Sequence, residues 1–280
     1  MQKFQLQLLF KIIGIGAASG LFYDGDSLFI ISDNSHMLYE YHMGTETLDK
    51  TPLTAKDYTG PLENVPKNEK ADYEALAAKG DDLYLFGSGS TPGRNSIGHV
   101  NAKTKKVLPH LDATDLYLAM QSFSEITPEN FNIEAAVNDG NTWYLLQRGN
   151  GAASQNGIFT LDGDIADMFF QIIYNPITLP KAEGIQAGFT DAVKVGDKLY
   201  FLAAAENSAS TYLDGEVTGS FFGIIDIETM KVETIQPIGK LKFEGITLYK
   251  DNATTLEFLL CEDSDSEINM ADIYKLTINK

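Results

Sequence analysis

Residues 133–148 read IEAAVNDGNTWYLLQR. An apolar run ends at Val137, the pair Asp139-Gly140 follows, and a second apolar run starts at Trp143-Tyr144. Asp-Gly between two strand-like runs marks a tight β-hairpin, because both turn residues tolerate the positive φ it needs.

Working outward, the same unit recurs as ASGLFYDGDSLFIISD from Ala18 and YEALAAKGDDLYLFGS from Tyr73. It returns as TDAVKVGDKLYFLAAAE from Thr190 and FEGITLYKDNATTLEFLLCED from Phe243. Aligned on a small or acidic residue near the start of each unit, the copies begin at Ser19, Glu74, Glu134, Asp191 and Glu244, spaced by 55, 60, 57 and 53 residues. Even spacing along the chain argues for a repeat architecture rather than two unrelated domains. A third strand follows in each copy (HMLYEYHM, NSIGHVNA, NGIFTLDG, SFFGIIDI, ADIYKLTI), and most add a fourth, such as KKVLPHL and KVETIQPI. Four-stranded units that cannot bury both faces alone predict an all-β fold, a five-bladed β-propeller spanning residues 1–280 as one domain. The last unit stops after its third strand, so the strand Phe4–Ile13 is expected to complete it and close the ring, removing an open sheet edge. Glu183-Gly184-Ile185 also resembles a unit start and keeps a six-bladed ring as the alternative.

Two insertions interrupt the pattern. Residues 53–71 are polar with two prolines and read as a long loop. Residues 112–128 read as a helix with Leu116, Ala119, Met120 and Phe123 on its core face and Thr114 or Asp112 as cap. Both are expected to cover one mouth of the propeller.

A net charge of −18 and a pI near 4.5 repel phosphate backbones and anionic bilayers, so neither nucleic acid nor membrane is an expected partner. No apolar stretch is long enough to span a bilayer as a helix. Cys261 is the lone cysteine, excluding an internal disulfide and slightly favouring the cytoplasm. The opening MQKFQLQLLFKIIGIGAASG alternates like a strand and carries Lys11 within its apolar run, so it reads as a mature strand rather than a leader.

First strands of propeller blades line the central channel. Glu74, Glu134, Asp191 and Glu244 are therefore expected around one axial mouth, with Ser19 as fifth member. Loops beginning at Asp33, Ser88, Arg148, Glu206 and Glu262 should form the rim. Four carboxylates facing one channel raise one another's pKa unless a cation, arginines or shared protons intervene. Arg94 in SGSTPGRNS and Arg148 in QRGNGAASQ stand ready as counter-ions or anion clamps. An oxygen-rich ring suits Ca²⁺ or Mg²⁺, whereas acids that merely cap strand ends against backbone N–H groups would need none.

The repeated acid-plus-small-residue unit resembles bacterial propellers of the gluconolactonase, strictosidine-synthase-like and phytase-like esterase group. KADYEALA, GSGSTPGRNS and FTDAVKVGDKLYFLAAAE resemble an uncharacterised bacterial propeller family. In the lactonase group a central divalent cation is held by acidic and amide side chains, which implicates Glu74, Glu134, Asp191 and Glu244 as metal-holding or catalytic residues here. The sequence departs from that group in its five units and its lack of evident axial asparagines.

Other motifs carry little. Gly14-Ile15-Gly16 precedes a strand rather than the helix a dinucleotide site needs, and Gly89–Arg94 lacks the Lys-Ser/Thr of a phosphate loop. Asp263–Glu267 begins like a calcium loop but has Ile268 where glycine is required. His36, His42, His99 and His110 lack metal-ligand spacing. Two functions remain: a small-molecule site at the axial mouth, where Asp33, Ser19, Arg94, Arg148 and Glu206 contact the ligand and an ester, lactone or phosphoester is hydrolysed, or a non-catalytic ligand-binding or protein-interaction scaffold.

Overall fold

The computed structural model describes residues 4–151, 153–208, 215–263 and 269–280. Apolar alternation and tight turns produce five antiparallel sheets around one axis, a five-bladed β-propeller. Strand β1 spans Phe4–Ile13. Blade one comprises β2 (Ala18–Tyr23), β3 (Ser27–Ser32), β4 (Met37–His42) and β5 (Thr47–Pro52). Blade two comprises β6 (Tyr73–Lys79), β7 (Asp82–Gly87), β8 (Ser96–Asn101) and β9 (Val107–Asp112), followed by α1 (Thr114–Ser124). Blade three comprises β10 (Ile133–Asp139), β11 (Thr142–Gln147), β12 (Gly157–Asp164) and β13 (Phe169–Pro176). Blade four adds the two-residue β14 (Lys181–Ala182) to β15 (Ile185–Val195), β16 (Lys198–Glu206), β17 (Val217–Asp226) and β18 (Lys231–Gly239). Blade five comprises β19 (Phe243–Asp251), β20 (Thr255–Glu262), β21 (Met270–Asn279) and β1, with Phe4 opposite Ile278 and Ile13 opposite Met270. The predicted closure by the first strand is thus present.

The competing unit start at Glu183-Gly184 is a turn. It joins β14 to β15 between the pairs Ala182–Ile185 and Lys181–Gln186, with φ of 51° and 87° at its two residues. Two successive positive φ values are what a two-residue hairpin needs, so the sequence signal there was a hairpin and not a sixth blade.

The first strands β2, β6, β10, β15 and β19 contact one another in turn around the axis. Five apolar cores fill the wedges between neighbouring blades. Buried Trp143 lies in the wedge between blades two and three, its ring centroid 5.3 Å from that of Tyr84 and 5.7 Å from that of Phe86. α1 seals this wedge with Leu116, Tyr117 and Met120, and the Tyr117 hydroxyl donates to the Gly87 carbonyl at 2.7 Å. Ala119 and Phe123, expected on the core face, point to solvent instead, because Tyr117 takes the inward position. The Asp112 carboxylate accepts the Thr114 N–H at 2.9 Å, making Asp112 the residue that holds the helix start. No helix among the described residues is long and apolar enough to cross a membrane.

Candidate functional site

Every first strand carries a β-bulge near its start, and the extra residue of each bulge defines one ring. Pairing skips Ser19 between Ala18 and Gly20, Glu74 between Tyr73 and Ala75, Glu134 between Ile133 and Ala135, and Glu244 between Phe243 and Gly245. In blade four it skips Thr190, between Phe189 and Asp191. The ring is therefore Ser19, Glu74, Glu134, Thr190 and Glu244, and Asp191 stands one residue past the expected position. A bulge places two residues opposite one and re-aims the side chain of the extra one.

The two hydroxyls of the ring act alike. Ser19 donates to the Tyr73 carbonyl and Thr190 to the Phe243 carbonyl, each at 2.7 Å, so each ties its blade to the next. Asp191 is also a tie. Its carboxylate accepts the Ala192 N–H at 2.8 Å and the Ile246 N–H at 2.7 Å, which joins blades four and five. For Asp191 the strand-capping alternative is the one observed. Burial pushes its carboxyl well above the ordinary range, and the two N–H groups oppose that push.

Two residues before each ring member stand Ala17, Asp72, Asn132, Gly188 and Lys242. The ends of the second strands add Asp33, Ser88, Arg148 and Asp263, whose N–H groups bond the carbonyls of Ala17, Asp72, Asn132 and Lys242. Glu262, expected to open a rim loop, instead ends β20 and accepts the Tyr274 hydroxyl at 3.0 Å. Residues 264–268 of the calcium-like run lie outside the described residues.

Charge at this mouth divides into two networks. In the first, Arg148 bonds Glu134 at 3.1 Å, pairs with Glu206, and lies 3.7 Å from Glu244. Lys242 bridges Glu244 at 2.8 Å and Asp263 at 3.2 Å. Asn132 donates to Glu134 at 2.6 Å, and Gly215 N–H reaches Glu206 at 2.6 Å. Burial works against charge on Arg148, yet Glu134, Glu206 and Glu244 hold its guanidinium protonated more firmly than usual. Burial raises the Glu134 carboxyl, while Arg148 and Lys242 pull it back.

The second network joins Lys70, delivered by the end of the 53–71 loop, to Asp33 and to Asp72, the latter at 2.8 Å. Arg94 also reaches Asp72 at 2.7 Å and Ser90 at 2.7 Å, and Ser88 donates to Asp72 at 2.5 Å. Glu74 stands beside this group. Asp33, Asp72 and Glu74 each place a carboxylate oxygen within 4.8 Å of the others.

Glu74 differs from the other ring acids. Among the described residues it makes no hydrogen bond and no ion pair, and it is only half-buried although protein surrounds it. Its carboxyl is pushed well above the glutamate range by burial first, then by the charges of Asp72, Glu134 and Asp33, with Lys70 opposing. Asp33 Oδ1, of the carboxylate beside Glu74, is buried without a hydrogen-bond partner among the described residues, as is Asn132 Oδ1 in the first network. Both arginines are engaged by acids, so they serve as counter-ions rather than as free anion clamps.

Beside Arg148 a cleft of about 270 Å³ opens between the loop Gly149–Ser154 and the β14–β15 hairpin, with Glu206 and Gln186 on its wall. Farther along the first strands the lining is mostly apolar, with Leu21, Leu76, Ala136, Ala192 and Ile246, and among the described residues Lys194 is its one charged residue. Gly188 explains how Arg148 reaches across to blade four: a Cβ there would lie 2.7 Å from Arg148 Cγ. Gly188→Ala is expected to displace the guanidinium and lower stability by ~1–3 kcal/mol in a urea melt. An unchanged midpoint would show that Arg148 has room to move aside.

Sequence reasoning found the ring in four blades but missed Lys70, Asp72, Asn132 and Lys242. Asp72, Asn132 and Lys242, each just ahead of a first strand, were discoverable as the residues two before each acid. On the outer side of blade one, Ser27 Oγ, His42 and Asp49 form a hydrogen-bonded row, each link 3.0 Å. Ser27 is buried and its own N–H is bonded to Asp24, leaving it no means of meeting a substrate.

The model of a family of unknown function (DUF6929) matches residues 14–278, and the chain belongs to that family. No curated protein matches it. Among solved structures, it is similar to Myxococcus xanthus glutaminyl cyclase (10% identity, TM-score 0.51, covering 98% of this chain and 97% of that one). It is also similar to a luciferin-regenerating enzyme (11% identity, TM-score 0.50, 99% and 97% covered). Kuenenia stuttgartiensis hydrazine synthase matches at 14% identity and TM-score 0.44 over 94% of this chain, which spans 63% of that chain. At these identities the likeness extends to the fold alone.

Proposed function

We propose that this family member binds a divalent cation or a cationic small molecule at the polar axial mouth, with Glu74 as the group that meets it. The observation that carries the reading is the Glu74 carboxyl, without a hydrogen bond or ion pair among the described residues, beside an Asp33 oxygen that also lacks a donor. Three carboxylates (Asp33, Asp72, Glu74) face two cations (Lys70, Arg94), so ionising Glu74 leaves one negative charge for a ligand to balance.

All-oxygen donors suit Ca²⁺ or Mg²⁺, so Asp33, Asp72 and Glu74 would hold such an ion, in place of the four-acid set expected from sequence. Bound there, a cation would polarise the carbonyl or phosphoryl oxygen of an ester, lactone or phosphoester. As a ligand Glu74 would be ionised, and the bound ion would supply the acidity that activates water for that hydrolysis. Glu134 and Glu244 form the fixed frame, committed to Arg148 and Lys242.

A thermal melt of chelator-treated protein tests this. An ion present at about 100 times its dissociation constant stabilises by ~2.7 kcal/mol and should raise the midpoint by a few degrees. Glu74→Gln is expected to lose that rise while still folding. A wild-type melt unmoved by Ca²⁺ and Mg²⁺, or a rise that survives in Glu74→Gln, would remove the cation assignment.

A further inference from the structure

The five outer strands are the sheet edges, and edges invite pairing with another chain unless charge or proline guards them. β5 carries Asp49 and Lys50, β9 carries Pro109 and Asp112, β18 carries Lys231, Glu233 and Pro237, and β1 carries Lys11. β13, reading FFQIIYNP, has no charged residue, and its only proline is the last position. Its outward side chains include two large apolar ones flanking Gln171: Phe169 is 79% exposed and Ile173 57%. Neighbouring α1, which packs on β13, turns Leu118 and Phe123 outward as well, at 53% and 59%. No strand of the described residues pairs with the far side of β13.

We infer that β13 is an interface for a second copy of this chain, pairing antiparallel with its own counterpart about a two-fold axis at Gln171. The sequence is self-complementary in that register. Phe169 falls opposite Ile173 of the second copy, Phe170 opposite Ile172, and Gln171 opposite itself. Aromatic on β-branched is a favourable cross-strand pair, and here it arises on both faces of the joined sheet. Charge selects the same contact. Two molecules of net charge −18 repel over most of their surfaces, whereas this edge brings no acid against an acid: Asp167 falls opposite Asn175. A two-fold pairing of one edge with itself closes as a dimer and propagates no further.

Light scattering on the full chain at tens of micromolar is expected to return twice the 30.8 kDa chain mass. Gln171→Lys, at an exposed position, sets two like charges face to face and should weaken the dimer by at least about tenfold without changing the fold. Gln171→Cys should form an intermolecular disulfide under mild oxidation, because the chain's own Cys261 is buried. A monomer mass across the concentration range overturns the inference. So does a dimer that withstands Gln171→Lys and fails to cross-link through Gln171→Cys, since its interface would then lie elsewhere.

Discussion

Arg148→Met should cost the fold about 3–5 kcal/mol, lowering the thermal midpoint by roughly 10 °C. Arg148 is 4% exposed, and its guanidinium is shared by Glu134, Glu206 and Glu244, which belong to blades three, four and five. Methionine fills much of the volume but leaves three buried acids facing one another with Lys242 as the remaining cation beside them. Removing one member of a buried charge network is costly because the charges left behind have lost both water and partner. Arg148→Lys should recover part of the loss, since an ammonium restores the charge but not the fork that reaches three carboxylates. Melts of the three proteins at pH 7 decide the matter. A loss below about 2 °C for the methionine variant would mean that the acids shed their charge by taking up protons, and that the arginine is dispensable to the ring.

The second large effect concerns pH. In the folded protein Glu74 holds its proton above the ordinary glutamate range, whereas in the unfolded chain it titrates normally. Between those two values the folded state binds a proton that the unfolded state has released. Its contribution is therefore fully present below the unfolded pKa and is lost as pH rises through the folded one. Glu74→Gln removes this liability. Relative to wild type, the variant should gain stability as pH rises through that window, by up to ~1.4 kcal/mol per pH unit, with no such gain below pH ~4. Taking the difference between the two proteins cancels the other titrating groups. Urea melts between pH 4 and 8 measure it, and a difference independent of pH would place Glu74 in an ordinary solvated setting.

The blades were legible because each spells its first hairpin with Gly or Asp between apolar runs, and the spacing of those hairpins is what a propeller repeats. The ring was legible where an acid occupies the bulge. Blade four misled because Phe189-Thr190-Asp191 offers both a hydroxyl and an acid, and only pairing reveals which residue is extra. A bulge is a fact of register, decided by the partner strand, and leaves no mark of its own in local sequence. Lys70 was hidden for another reason: it comes from the loop 53–71, whose path over the mouth depends on the contacts of Leu62 and Val65 with blade one. The division of labour among the acids was invisible too, since equal residue types at equal positions acquire different roles from their neighbours. Glu134 has Arg148 and Asn132, and Glu74 has neither.

The sheet shared by β1 and β21 also sets a schedule. Phe4 is made 274 residues ahead of its partner Ile278. At about 5–20 residues per second, the nascent strand waits roughly a quarter-minute to a minute, with Leu6, Leu8, Phe10 and Ile12 unpaired beside the ribosome. Until then blade five lacks one of its four strands. β1 is thus made ahead of every other strand of the ring yet is among the last to dock, and is the part of the nascent propeller most in need of a chaperone's cover.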